Sequence, residues 1–331
     1  MMSVLHDKPG RAALHLARAA SLAPSPHNSQ PWYFTEEGHD HGFEVHLDSG
    51  RRMPLTDPCG REAVIACGAA LFNVRMAVRQ LGFRPVVDLL PAPGDSHRLA
   101  HVGFAAHAPS TPEETLLARA IPHRHTHRGR FAAGPVPADL LADLHEQARA
   151  EGAILQVVDD PEQLELVATL VRTAEDAHRA DFGHVTELER CVGPYGVPVE
   201  ACRHHPDATL LAGRDYLSLA RCWPVSARNR GRGTGTVVVL STPRDGRPDW
   251  LRSGQALQRV LLYAAAHDVM AAFHTQPLEL PALRARLRTE FTAGRYPQLI
   301  LRLGHLPQPQ TWRTLRRPPL RVLARDDARA R

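Results

Sequence analysis

The chain has 331 residues, 40 Lys+Arg against 35 Asp+Glu, a formal charge of +5, and 43% hydrophobic and 23% charged residues. That is the composition of a globular protein long enough for two cores, with no apolar run that could span a bilayer and no apolar signal core in residues 1–11, so a cytoplasmic protein is expected. The basic residues are interleaved with acids and lack an aromatic platform, which argues against nucleic acid. Lys8 is the single lysine, which leaves lysine-nucleophile chemistry no internal residue, and the five cysteines contain no Cys-x-x-Cys pair.

In chain order, residues 15–22 read as a helix, followed by Ala23-Pro24-Ser25-Pro26-His27-Asn28-Ser29-Gln30-Pro31-Trp32 and a strand at 32–34. Two prolines fix the loop, and Ser25, Asn28 and Gln30 place hydrogen-bonding groups on it, a combination suited to a polar ligand as well as to an ordinary connection. Asp57-Pro58 reads as the cap and first turn of a helix whose stripe, Val64, Cys67, Leu71, Val74, Val78 and Leu81, runs to a stop at Gly82. On that stripe Cys67 is expected to serve packing. Strands are expected at 84–90 and 99–106, a helix at 138–150, and strands at 154–158, 236–240, 270–275 and 299–303.

Between them lies Arg124-His125-Thr126-His127-Arg128, in which Arg124, Thr126 and Arg128 share one face of an extended chain and His123, His125 and His127 the other. Two guanidinium forks and a hydroxyl suit a phosphate dianion. The histidines raise a metal, and a solvated basic loop is the third reading. No fourth ligand stands at a familiar spacing, so no metal is expected.

A repeat is visible. Cys67-Gly68-Ala69-Ala70-Leu71 recurs as Ser253-Gly254-Gln255-Ala256-Leu257, and each copy is followed by two strands. The fold class expected is α+β, internally duplicated, with residues 1–115 as one half and 116–331 as the other. Residues 181–232 have no counterpart in the first half and read as a lid or binding insertion.

Ala-Pro-Ser-x-x-Asn-x-Gln-Pro-Trp (Ala23 to Trp32), Arg-x-Thr-x-Arg-x-x-Phe (Arg124 to Phe131), Gly-x-Ala-Leu (Gly254 to Leu257), Gln-Pro-x-Glu (Gln276 to Glu279) and Arg-Arg-Pro (Arg316 to Pro318) occur in this order. Together they resemble the nitroreductase superfamily of flavin mononucleotide (FMN) proteins, and within it the single-chain duplicated Acg-type branch. The resemblance implies a nitroreductase-like fold built as a fused pseudo-dimer that a monomer could complete, with FMN as cofactor and NAD(P)H as transient electron donor. It places the phosphate at Arg124, Thr126, Arg128, Arg316 and Arg317, and the ribityl chain and ring edge at Pro24, Ser25, Pro26, Asn28 and Gln30. At the turn Gln276, Pro277, Leu278 and Glu279, it implies a backbone N–H of Leu278 or Glu279 directed at the flavin. The Ala-Pro-Ser loop occurs only in the first half and Arg-x-Thr-x-Arg only in the second, so one complete FMN site is expected. Two functions fit: an oxidoreductase passing two electrons to a small nitroaromatic, quinone or specific metabolite, with no catalytic side chain required, or an FMN storage protein with a lidded site and little turnover.

Overall fold

The computed structural model describes residues 9–38, 41–222, 232–310 and 312–324. The first half consists of α1 (Arg11–Ser21), β1 (Trp32–Glu37), β2 (Gly42–Leu47), α2 (Arg61–Gln80), β3 (Phe83–Leu89) and β4 (Arg98–His107). After α3 (Pro112–Ala120) the second half runs through α4 (Ala138–Ala150), β5 (Ile154–Val157), α5 (Pro161–Ala180) and the short helices α6 (Phe182–Glu189), α7 (Val199–Cys202) and α8 (Leu219–Cys222). It continues with β6 (Thr236–Thr242), α9 (Arg247–Ala266), β7 (Val269–Phe273), α10 (Gln276–Glu279), α11 (Pro281–Glu290) and β8 (Tyr296–His305).

The two sheets have the same strand order. The first is β3-β4-β2-β1, extended on its β1 edge by β9 (Leu323–Ala324), and the second is β7-β8-β6-β5. Every pair is antiparallel except β1–β9, which is parallel with Phe34 opposite Leu323. The C-terminal segment therefore returns from the second half to close the first sheet.

The repeated helices α2 and α9 cross at the repeated glycines. A Cβ on Gly254 would lie 1.9 Å from the Ile65 carbonyl oxygen and 2.8 Å from Gly68 Cα; one on Gly68 would lie 2.3 Å from the Leu251 carbonyl oxygen. Only hydrogen fits there, because backbone meets backbone. Beside the crossing, Gln258 Nε2 donates to Asn73 Oδ1 at 2.7 Å, and Asn73 Nδ2 donates to the Ala19 carbonyl. Both side chains are fully buried, so these bonds fix how the helices meet. One core lies between α1, α2 and the first sheet, with Trp32, Phe34 and Phe43 at 0% exposure; the other lies between α4, α9 and the second sheet.

One expected feature differs. The central helix begins at Arg61, three residues after Pro58, because Gly60 turns left-handed (φ 72°) and Asp57 Oδ2 reaches forward to the Ala63 N–H at 2.9 Å. In the expected insertion, residues 181–222 form short helices that pack around Leu188, Val197, Ala201 and Tyr216; residues 223–231 lie outside the described residues. No described helix is long and apolar enough to cross a membrane.

Candidate active site

A cavity with about 1020 Å³ of empty space, counted to its open mouth, lies where the two halves and the insertion meet. The space between these walls forms a slot. The first half contributes Pro24, Ser25, Pro26 and His27 from the loop and Glu62, Ile65 and Ala66 from α2. Thr126 and Arg128 come from the basic segment, and Arg214 and Tyr216 from the insertion.

At one side stands a group of arginines without carboxylates. Arg124 is buried; its Nη2 donates to the Leu22 carbonyl at 3.3 Å, while Nε and Nη1 have no partner. Arg128 Nη1, Arg316 Nε and Arg317 Nε are also buried and unpartnered, and none of the four arginines is in an ion pair among the described residues. Burial, with repulsion by Arg316 and Arg128, lowers Arg124 to about 9, and burial with Arg128 lowers Arg316 to about 10. An anion beside such a group would offset the cost of burying its charges. The expected alternation is retained in part: Thr126 and Arg128 line the slot, whereas Arg124 turns inward against Leu22 and Arg316. Thr126 is held by a bridge to Ala271, and the His127 N–H donates to the Ala271 carbonyl at 2.8 Å.

The loop holds His27, Asn28 and Gln30 all at positive φ (48°, 61° and 53°). Its polar side chains do something other than expected. Ser25 Oγ accepts the Gln30 N–H at 3.0 Å. Asn28 Nδ2 donates to the carbonyls of Tyr195, Gly196 and Leu315 at 2.8, 3.1 and 2.9 Å. Gln30 Nε2 donates to the Tyr195 carbonyl at 3.2 Å, and its Oε1 accepts the Arg317 N–H at 2.9 Å. Their amides thus tie the insertion and the C-terminal segment to the loop, while Pro24, Ser25 and Pro26 line the slot. The same tie brings Arg316, whose Nη2 donates to the Ala23 carbonyl at 3.2 Å, up to Arg124.

The turn at Gln276–Glu279 also differs. Thr275 lines the slot, but Gln276, Pro277 and Leu278 are buried behind it. The Leu278 N–H is already spent on the Thr275 carbonyl at 2.8 Å, so it is not a free donor. Gln276 Nε2 donates to Glu175 and to the Ala212 carbonyl, and Glu279 pairs with Arg214. Burial opposes the charge on Arg214, but Glu279 and Glu175 hold it firmly protonated. Across the slot, burial and the Glu279 carboxylate raise Glu62 to about 8, against the pull of Arg61 at 3.0 Å.

The histidine run does not gather: His125 Nδ1 meets the His123 carbonyl, and His127 Nε2 meets the Arg130 carbonyl. Among the described residues the one group with metal-like spacing is His178, His184 and Glu279. Its two rings stack in parallel (3.9 Å, 5°), and Arg214 Nη1, an obligate donor, lies 3.1 Å from His178 Nδ1. The proton of that neutral ring is then on Nε2, and parallel rings do not converge on one cation. Burial and Arg214 hold His178 down to about 2 and His184 to about 4, which suits a neutral stacked pair.

No family model matches the chain. Among curated proteins, "Putative NAD(P)H nitroreductase Rv3131" of Mycobacterium tuberculosis is 32% identical over 293 residues, 87% of this chain and 83% of that protein. "Putative NAD(P)H nitroreductase acg" of the same organism is 32% identical over 298 residues, 87% of each chain. The chain belongs to the acg-type nitroreductase family. The acg-type fold agrees with a crystal structure of a nitroreductase-named protein from Anabaena variabilis, which covers 91% of this chain and 90% of its own at a TM-score of 0.51 and 9% identity. Four cavity residues of this family member were not singled out in the sequence. His27 lay inside the Ala-Pro-Ser loop, Glu62 reads as an ordinary first-turn acid of its helix, and Arg214 and Tyr216 carry no local signal.

Proposed function

We propose that the chain binds one FMN in the slot and uses it to transfer two electrons from NAD(P)H to a small-molecule acceptor. The observation that carries this reading is the group of buried arginines without carboxylate partners, Arg124, Arg128 and Arg316, of which Arg128 lines the slot. The relatives named for NAD(P)H nitroreduction support it. In this reading residues 1–115 and 116–331 are the two halves, each supplying one wall.

FMN, when bound, supplies a ring that accepts and releases hydride, so no nucleophilic side chain is needed. The chain's own residues bind and enclose it. Arg124, Arg128, Arg316 and Arg317 neutralise the phosphate, with Thr126 beside them. Pro24, Ser25 and Pro26 give a stiff wall that loses little entropy on binding. The insertion, fastened by Asn28 and Gln30, keeps water from the slot.

Titration of cofactor-free protein with FMN tests this reading. Saturation at one per chain is expected, with binding lost in Arg124→Ala/Arg128→Ala; two per chain, or full loading of the double variant, refutes it. The fastening of the insertion by Asn28 favours a second reading, a lidded FMN store with little turnover.

A further inference from the structure

Two cavity residues lie outside both the arginine group and the amide ties of Asn28 and Gln30. His27 Nδ1 and the Tyr216 hydroxyl lie 2.7 Å apart, joining the loop of the first half to the insertion, and their rings meet edge to face at 5.6 Å and 72°. They are 8% and 6% exposed, and both line the slot. His27 sits in the left-handed region at φ 48°, ψ 23°, a conformation held at a cost where the surroundings fix a side chain in place. Burial, with Arg214 and Arg128 nearby, keeps its imidazole neutral, and burial raises the Tyr216 phenol to about 12.

The neutral pair therefore carries two mobile protons, one on the ring and one on the oxygen. One lies in the bond between them. The other has no protein acceptor among the described residues, whichever tautomer His27 adopts.

We propose that the His27–Tyr216 pair is the specificity element of the slot: it donates this second proton as a hydrogen bond to an oxygen of the planar compound bound beside the cofactor, and so favours oxygen-bearing acceptors over apolar rings of similar shape. This rests on the reading that the slot holds FMN together with an acceptor. Apolar walls at Ile65, Ala66 and Leu257 accept the ring, and the pair fixes which of its edges faces inward.

The test uses FMN-loaded protein with no electron donor, titrated with nitrobenzene and with toluene, which share a ring and differ in the nitro group. Binding is read calorimetrically and from the flavin absorption. Tyr216→Phe keeps the ring contact and is expected to weaken nitrobenzene by about two- to tenfold, the range of one net hydrogen bond, while toluene and FMN bind as before. His27→Asn, which tolerates the left-handed backbone, is expected to shift the nitrobenzene-to-toluene ratio in the same direction. An unchanged ratio in both variants, equal weakening of both compounds, or no binding of either compound overturns the proposal. Weakened FMN binding at an unchanged ratio would assign the pair to the cofactor and also overturn it. Wild-type protein that takes up no FMN would instead remove the reading of the slot itself.

Discussion

Replacing Arg124 by methionine should make the cofactor-free protein more stable and the FMN complex weaker. Its guanidinium is buried beside Arg128 and Arg316 with two nitrogens unpartnered, and is depressed from the usual 12.5 to about 9. At about 1.36 kcal/mol per pH unit, that depression corresponds to about 5 kcal/mol of unfavourable burial in the absence of an anion. Methionine fills most of the space, and the lost hydrogen bond to the Leu22 carbonyl returns about 1 to 3 kcal/mol of that gain. A net stabilisation of about 2 to 4 kcal/mol is left, or roughly 3 to 6 °C in Tm for a chain of this length. With FMN the sign reverses: one charge-assisted bond to phosphate, about 1.5 to 3 kcal/mol, is lost, so affinity should fall roughly 10- to 150-fold. Thermal unfolding with and without FMN measures both effects, since ligand stabilises in proportion to occupancy. A variant less stable than wild type without FMN, yet equally stabilised by it, would refute the reasoning.

Three further outcomes follow from the geometry. Gly254→Ala places a methyl 1.9 Å from the Ile65 carbonyl oxygen and should cost about 3 kcal/mol or more in urea unfolding, whereas Gly94→Ala, with nothing within 4 Å of its Cβ, should change stability by less than about 0.5 kcal/mol. Asn28→Ala leaves the carbonyls of Tyr195, Gly196 and Leu315 without their shared donor, so FMN should dissociate about tenfold faster in a dilution assay and amide exchange should rise at residues 191–198. Glu62 keeps its proton to about 8 in the folded chain and releases it near 4.5 when unfolded. The unfolded state then binds fewer protons between those values, and stability falls as pH rises from about 5 to 8; Glu62→Gln should flatten that part of the urea-derived stability profile, and an unchanged slope would count against the assignment.

The repeated strand order was legible because its signals are local and periodic. The apolar stripe from Val64 to Leu81 and the paired Gly68 and Gly254 mark the two crossing helices, and the strand order repeats around them. Arg124, Thr126 and Arg128 stood out because their alternate spacing is readable as chemistry, whereas Arg316 and Arg317 entered only through the family resemblance. What was not legible depends on contacts between residues far apart in sequence. Asn28 reads as a ligand-gripping residue until its partners at Tyr195 and Leu315 are seen, 167 and 287 positions away. Leu278 reads as a free donor until the turn consumes its N–H, and Arg214 becomes meaningful only when folding brings it to Glu279. The start of α2 moved because a left-handed Gly60 delays the helix to Arg61, while Asp57 still caps it from further back through the Ala63 N–H.

The most direct measurement is the visible absorption spectrum of FMN-loaded protein under anaerobic conditions, before and after NADPH and then NADH. Bleaching of the flavin band by either nucleotide, followed by its return on addition of a nitroaromatic or quinone, is the predicted result. Protein that stays oxidised with both nucleotides but bleaches with dithionite would contradict electron transfer and leave a lidded FMN store, and protein that takes up no FMN would contradict the account at its root.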